Sequence, residues 1–156
     1  MTKEEKELLV KDLCARLPYG VMCKIFENLY ELVDIDIKRG LVYLLRDEQY
    51  VPYSIISGDE IKPYLRPMSS MTEDEKKELC DKNILIAVST SGTVETIING
   101  FDWMNAHHFD YRGLIPMGLA IEAPEYMYKE IICVKQSPLE TFKRVNEFEG
   151  GASYRN

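Results

Sequence analysis

Long apolar runs are what this sequence most clearly lacks. No stretch approaches the roughly 20 apolar residues that a membrane-spanning helix needs, and the apolar run at 84–88 has only the length of a strand. The opening residues, MTKEEKE, lack the apolar core of a secretory signal and indicate the start of a helix. We therefore expect a cytoplasmic protein with no membrane association.

Clustered cysteines are also lacking. The four cysteines form no C-x-x-C pair, whereas a structural zinc site or a disulfide framework requires closer spacing. In a reducing compartment they are predicted to be small, mostly buried apolar residues. No cofactor is predicted. The residues are Cys14, Cys23, Cys80 and Cys133.

An excess of positive charge is absent as well. The formal net charge is −7, with 26 acidic and 19 basic residues. This balance argues against non-specific nucleic-acid binding, in which Lys and Arg neutralise phosphates. The best candidate for a basic patch has only four residues, Lys38, Arg39, Lys62 and Arg66. A nucleic-acid-binding module therefore remains only a weaker alternative.

The N-terminal part predicts one helix followed by short strands. Thr2 and Glu5 form a capping box, and Leu9, Leu13 and Leu17 recur on one helical face, so we predict a helix over 2–17. The chain then changes to β-rich runs joined by short links, which predicts an antiparallel meander that could curl into an SH3-like partial barrel. The runs are 21–26, 29–35, 41–45 and 50–56, followed by a proline-punctuated connector at 61–67.

The C-terminal part is predicted to be mixed and mostly helical. Thr72 and Glu75 form a second capping box that opens a charged helix over 73–82. Residues 84–89 and 94–98 favour a second hairpin, while 127–134 could be either helix or strand. The remaining predicted helices are 102–108, a short turn at 111–117 capped by Asp110 and Gly118, and 139–148.

The predicted fold class is therefore α+β. It comprises a helix-plus-meander lobe at 1–68 and a mixed, mostly helical lobe at 69–149, which we expect to form one unit. Residues 150–156, which begin Gly-Gly-Ala-Ser, are predicted to be a flexible tail.

Two passages carry a resemblance to known sequences. They are IKPYLRPMSSMTE at 61–73 and HHFDYRGLIPMGLA at 107–120. Together they resemble a group of short proteins encoded in gut-anaerobe genomes, often within prophage-like or other mobile elements, over roughly 14–128. The resemblance implies an intracellular accessory role in such a setting. It brings no activity, cofactor or catalytic residue.

The second passage contains the residue types that could perform chemistry near neutral pH. His107, His108 and Asp110 are candidate metal ligands, although adjacent helical residues point about 100° apart. The alternative places both histidines at a helix C-terminus. Arg112 could grip a carboxylate or phosphate with its planar guanidinium, or it could pair internally in a corner capped by Asp110.

Tyrosine is abundant, with ten residues. Four of them, Tyr43, Tyr50, Tyr53 and Tyr64, belong to the meander and its connector. Several of these, with Arg66, could line one exposed aromatic surface, because Tyr and Arg are enriched at interfaces. The alternative is a small β-core rimmed with tyrosine.

The leading functional prediction is a small non-enzymatic binding or adaptor protein with a protein partner. Its candidate binding residues are Tyr43, Tyr53, Tyr64, Arg66 and Arg112. The rival from another class is a small metal-dependent hydrolase that uses His107, His108 and Asp110.

Overall fold

The computed structural model describes residues 1–55, 60–81 and 94–128. Helix α1 spans Lys3–Arg16 and begins at the predicted capping box. The Thr2 hydroxyl accepts a hydrogen bond from the Glu5 amide at 3.2 Å, and the Glu5 carboxylate accepts one from the Thr2 amide at 2.7 Å. These bonds satisfy amides that the first helical turn leaves unpaired. A 3₁₀ turn, Leu17–Tyr19, follows.

The described strands form one six-stranded sheet in the order β4-β3-β2-β1-β5-β6. Neighbouring strands are antiparallel, apart from the short parallel pair β5–β6. The first four strands form the predicted meander. The strands are β1 (Met22–Ile25), β2 (Asn28–Asp36), β3 (Leu41–Arg46), β4 (Gln49–Ser54), β5 (Lys62–Leu65) and β6 (Ile121–Glu122).

A tight turn sets the register between β3 and β4. Arg46 lies opposite Gln49, so Asp47 and Glu48 are the whole loop, and both have positive φ angles, 50° and 63°. This combination is typical of a type I′ turn, whose twist matches that of the flanking strands. The turn therefore fixes which residues of β3 and β4 share a face.

Helix α1 packs on one face of the sheet. Leu9 and Leu13 are fully buried in a cluster with alternate residues of β1, β2 and β3. Residues from the C-terminal part, Leu114, Leu119 and Ala120, belong to the same cluster. Both predicted lobes therefore contribute side chains to one core. The strand residues in it include Cys23, Ile25, Leu32, Val42 and Leu44.

Two further helices surround a second, smaller cluster. Helix α2 spans Glu73–Asp81 and contributes Leu79, and helix α3 spans Val94–Ala106 and contributes Trp103 and Met104. Phe109, which follows α3, completes the stack beside the Trp103 ring, with the two ring centroids 5.7 Å apart. None of the helices in the described ranges is both long enough and apolar enough to cross a membrane.

The predicted α+β class, with an N-terminal helix and an antiparallel meander, is confirmed. The described sheet is open, with β4 at one edge and β6 at the other. The SH3-like partial barrel therefore stays a prediction. The predicted elements at 84–89 and 139–148, most of 127–134 and the tail at 150–156 lie outside the described residues.

Three local predictions were wrong. Residues 94–98, predicted as a strand, begin helix α3, because β-branched residues lower helix propensity only slightly. The connector at 61–67 contains strand β5, which pairs with β1. Residues 111–117 form turns instead of a short helix, since both Asp110 carboxylate oxygens bind amides further along the chain.

Candidate functional site

The sheet has a core face, which packs against α1, and an opposite outer face. On β3 the alternation is regular: Val42 and Leu44 are buried in the core, while Leu41, Tyr43 and Leu45 are half-buried and point to the outer face. These three residues belong to neither buried cluster of the described part of the chain. The outer face of β3 is therefore apolar.

Strand β4 extends this apolar surface to the edge of the sheet. Tyr50 lies opposite Leu45, and Pro52 lies opposite Tyr43. The Tyr50 side chain is 70% exposed. We define the tyrosine stripe as the five outer-face residues Leu41, Tyr43, Leu45, Tyr50 and Pro52.

A β-bulge on β2 determines what lies beside the tyrosine stripe. Leu32 pairs with Leu44 and Asp34 pairs with Tyr43, so Val33 is one extra residue. Without a bulge, Val33 would take the place opposite Tyr43, and the following aspartates would turn towards the core. The bulge keeps Asp34 on the outer face and Ile35 against the core.

Three carboxylates consequently line the outer face of β2. Glu31 lies opposite Leu45, Asp34 opposite Tyr43, and Asp36 opposite Leu41. We call these three residues the acidic row. Each one stands beside one apolar residue of β3 at the strand spacing of about 4.8 Å.

Local hydrogen bonds fix two members of the acidic row. One Asp36 oxygen accepts from the Arg39 amide at 3.0 Å, and the other lies 3.7 Å from the Arg39 guanidinium. An Asp34 oxygen accepts from the Ile35 amide at 2.7 Å, and the Asp34 side chain remains exposed. Asp34 and Asp36 are therefore ordered, and Asp34 is accessible.

The three predicted tyrosines do not meet on one surface. Tyr43 is in the tyrosine stripe, and Tyr64 is on the outer face of β5, three strands away or about 14 Å. Tyr53 lies opposite Val42 on the core face and packs against the first cluster. Its hydroxyl accepts a hydrogen bond from the Glu60 amide at 3.3 Å.

Arg66 is engaged inside the protein. Its guanidinium donates two hydrogen bonds to Glu75, at 2.7 and 3.0 Å, and lies 4.2 Å from the centre of the Phe109 ring. Burial alone would raise the pKa of Glu75, but hydrogen bonds from Arg66 and Thr72 and the charge of Arg66 together lower that pKa to about 2. The pair fastens α2 to the chain after β5.

Arg112 also pairs internally. Its Nε lies 3.3 Å from the fully buried Asp12 carboxylate. The neighbouring Asp110 accepts hydrogen bonds from the amides of Leu114 and Ile115, each at 2.8 Å. Of the two alternatives considered for Arg112, the structure has the internal pairing in a corner capped by Asp110.

The candidate metal ligands have separate roles. His107 stacks on Trp103 with ring centroids 4.0 Å apart, and its Nδ1 lies 2.9 Å from the Trp103 carbonyl oxygen. His108 is fully buried and stacks on Tyr128 at 3.8 Å, while Asp110 binds backbone amides. Across 1–55, 60–81 and 94–128, no three His, Cys, Asp or Glu side chains are grouped to hold a metal ion.

Sequence reasoning missed a buried ion pair at the centre of the molecule. The Arg16 guanidinium donates to both Asp12 oxygens, at 2.7 and 3.1 Å, and both side chains are fully buried. Arg16 also donates to the Phe109 carbonyl oxygen at 2.8 Å. The available signal was that these charges stand four residues apart among the apolar residues of α1.

Sequence reasoning also missed the acidic row. The signal was the run Leu-Val-Asp-Ile-Asp at 32–36, in which two adjacent apolar residues interrupt the alternation of apolar and polar residues expected of a half-buried strand.

Comparison with models of protein families, with curated proteins and with solved structures finds no match to this chain. The candidate site is therefore argued from the geometry. Within that geometry, the candidate site is the outer face of β2, β3 and β4, where the tyrosine stripe and the acidic row lie side by side.

Proposed function

We propose that this protein is a non-enzymatic binding module that contacts a protein partner through the tyrosine stripe. The observation that carries the proposal is the set of five aligned outer-face residues that belong to neither buried cluster of the described residues. Tyr is enriched at protein interfaces because it combines a large apolar area with a polar tip. Tyr50 and Tyr43 are the expected anchors.

The edge of the sheet favours contact through the face over strand addition. Counting from the two-residue turn, Pro52 and Tyr43 form a non-hydrogen-bonded pair, so the Pro52 nitrogen faces away from β3. A proline there removes one donor from the exposed edge of β4. An extended partner strand would find an incomplete ladder at that edge.

The proposal narrows the surface that the sequence suggested. It keeps Tyr43, and it leaves out Tyr53, Arg66 and Arg112 because their side chains are held by internal contacts. Tyr64 is left out because it lies on β5, about 14 Å from Tyr43. Through the resemblance noted above, it includes a cytoplasmic accessory role in a mobile-element setting. It does not require the sheet to curl into an SH3-like barrel.

Photo-crosslinking at two exposed tyrosines tests the proposal. The photoreactive amino acid p-benzoylphenylalanine would replace Tyr50 in one variant and Tyr126, which is 76% exposed and lies after β6, in a matched control. On irradiation in host-cell lysate, we expect a discrete crosslinked protein for the Tyr50 position only. The double variant Tyr43→Ser/Tyr50→Ser should lose capture of that protein while its circular dichroism is unchanged.

Two outcomes would contradict the proposal. One is the same crosslinked products from both positions, which would indicate adventitious contact. The other is a discrete partner at the Tyr126 position and none at the Tyr50 position, which would place the contact surface away from the sheet face.

A further inference from the structure

The outer face of β2, β3 and β4 carries charge of one sign. Its outer-face positions include the acidic row and no Lys or Arg. Arg46, at the end of β3, turns towards the ring of Tyr30, whose centroid is 5.8 Å from the guanidinium carbon. Tyr30 packs against the first buried cluster, so this cation lies towards the core side.

Two nearby cations lie beside carboxylates. Arg39 pairs with Asp36 within the β2–β3 loop, and Lys24 on β1 lies 3.3 Å from Glu27. Arg39 offsets part of the charge of Asp36, so the negative potential directly beside the apolar and aromatic side chains of the tyrosine stripe comes chiefly from Glu31 and Asp34. Such a surface complements a ligand that combines apolar groups with cations.

We propose that the partner segment is a basic amphipathic helix, which lays its apolar side on the tyrosine stripe and its Lys or Arg side chains along the acidic row. This inference rests on the proposed function and specifies the chemistry of the partner. The exposed ring of Tyr50 offers a further site for a cation above its face.

The dimensions of the surface agree with a helix of modest length. From Leu41 to Leu45 the stripe follows four residue steps of β3, or about 14 Å. A helix covers that distance with roughly nine residues at 1.5 Å each. Side chains at spacings of three and four residues along such a helix would meet the stripe repeatedly, as an amphipathic helix does when its apolar face lies on a hydrophobic surface.

Charge disfavours the other occupants of this face. A second copy docked face to face would bring two acidic rows together, and like charges across an interface are unfavourable. A nucleic acid would place phosphates against the same carboxylates.

The test uses two synthetic peptides of about 14 residues with identical amphipathic spacing, one of Leu and Lys and one of Leu and Glu. Binding to the full chain would be followed by fluorescence anisotropy of the labelled peptides. We expect the Leu/Lys peptide to bind the wild type and the Leu/Glu peptide to show no binding.

Two variants with the same net charge distinguish binding at the acidic row from general attraction of a basic peptide to an acidic protein. The first, Glu31→Gln/Asp34→Asn, removes two charges from the acidic row. The second, Glu73→Gln/Asp74→Asn, removes two from the exposed start of α2. We expect affinity for the Leu/Lys peptide to fall about tenfold in the first and to stay within about twofold of wild type in the second.

Three results would overturn the inference: equal weakening in both variants, preference for the Leu/Glu peptide, or no binding of the Leu/Lys peptide by the wild type. None of them removes a crosslink at Tyr50, so failure of the basic-partner inference is distinguishable from failure of the proposed function. If Tyr43→Ser also loses binding of the Leu/Lys peptide, the apolar contact and the charge contact lie on the same surface.

Discussion

His108 occupies a position that usually requires glycine. It follows helix α3 with a φ of 58°, and the His108 and Phe109 amides donate to the carbonyl oxygens of Asn105 and Met104 at 3.1 and 2.9 Å. This pattern is the Schellman motif, in which the left-handed residue is most often Gly. The imidazole instead stacks on Tyr128, whose hydroxyl accepts from the Met22 amide and donates to the Tyr64 carbonyl oxygen. The ring thus joins the end of α3 to the sheet.

Substitutions at His108 should separate the backbone cost from the value of the ring. Both His108→Ala and His108→Gly lose the stacking contact with Tyr128. Only Ala retains the left-handed penalty of roughly 1–2 kcal/mol. We therefore expect both variants to be less stable than wild type, with Gly more stable than Ala by about 1 kcal/mol, as measured by urea unfolding. If Ala equals or exceeds Gly in stability, residue 108 does not adopt the left-handed conformation.

At the scale of secondary-structure elements, the candidate site depends on the bulge in β2. Val33 is the extra residue, and its presence allows Leu32 and Ile35 to face the core while Asp34 and Asp36 face outward. A one-residue change in a regular strand reverses the face of every following side chain. The bulge absorbs this change locally.

Deleting Val33 should therefore be tolerated. The remaining sequence, Leu-Asp-Ile-Asp, alternates correctly without a bulge, so the pairs Leu32 to Leu44 and Asp34 to Tyr43 survive. We expect a loss of about 1 kcal/mol or less, from one half-buried side chain. Deleting Tyr43 from the regular strand β3 is the matched control and should prevent folding, because part of the strand would turn its apolar face outward. Equal damage from both deletions, read by circular dichroism and urea unfolding, would contradict the register.

The elements that could be predicted from sequence are those with local signals. The capping boxes at Thr2 and Thr72 and the alternating strands of the meander depend on residues close in sequence. Strand β5 was missed because its pairing with β1 is nonlocal and its prolines suggested a connector. Helix α3 was assigned partly to a strand because β-branched residues dominate its first turns.

The sequence predicted the residue types of the candidate site better than the faces of the sheet on which they lie. Tyr43 could be assigned to a sheet surface, but which face Tyr53 occupies depends on the turn at Asp47 and Glu48. The outward direction of Asp34 depends on the bulge. Both features change register by a single residue. The adjacent apolar residues Leu32 and Val33 indicated the bulge, whereas the turn at Asp47 and Glu48 carries no hydrophobic signal.

At the scale of the whole molecule, the Asp12–Arg16 pair connects helix α1 to residues 109–112. Arg16 reaches from α1 to the Phe109 carbonyl oxygen, and Arg112 reaches back to Asp12. Removing one member of such a pair leaves an uncompensated buried charge. The effect should therefore exceed that of any exposed ion pair.

Substitution of Asp12 tests this role. We expect Asp12→Ala to lose about 3–5 kcal/mol of unfolding free energy, because Arg16 would remain buried without its carboxylate. The double variant Asp12→Leu/Arg16→Met should recover part of that loss, since apolar residues of similar volume can replace a buried pair. Glu7→Ala, which breaks the exposed Lys3–Glu7 pair, is the control and should change stability by less than 1 kcal/mol. A loss of similar size in Asp12→Ala and Glu7→Ala would show that the buried pair is dispensable.

Below neutral pH, two groups among the described residues have pKa values that folding lowers, and both make stability depend on pH. Burial lowers the pKa of His107 below its ordinary 6.5, and Glu75, despite burial, is held at about 2 from an ordinary 4.5 by its bonds to Arg66 and Thr72. For each group, the unfolded chain binds more protons than the folded protein at pH values between the group's folded and unfolded pKa. The free energy of unfolding therefore rises with pH across that interval.

We therefore expect the urea midpoint to fall in two stages on acidification. The first begins below about pH 6.5, as the unfolded chain gains a proton at His107 that the folded protein resists. The second begins below about pH 4.5, as the unfolded chain takes up a proton at Glu75, and it continues towards pH 2, where the Arg66–Glu75 pair is lost. His107→Gln should remove the first stage and leave the second, whereas Glu75→Gln should lower stability at neutral pH and shrink the second. A first stage that persists in His107→Gln would assign the proton uptake near neutral pH to another group.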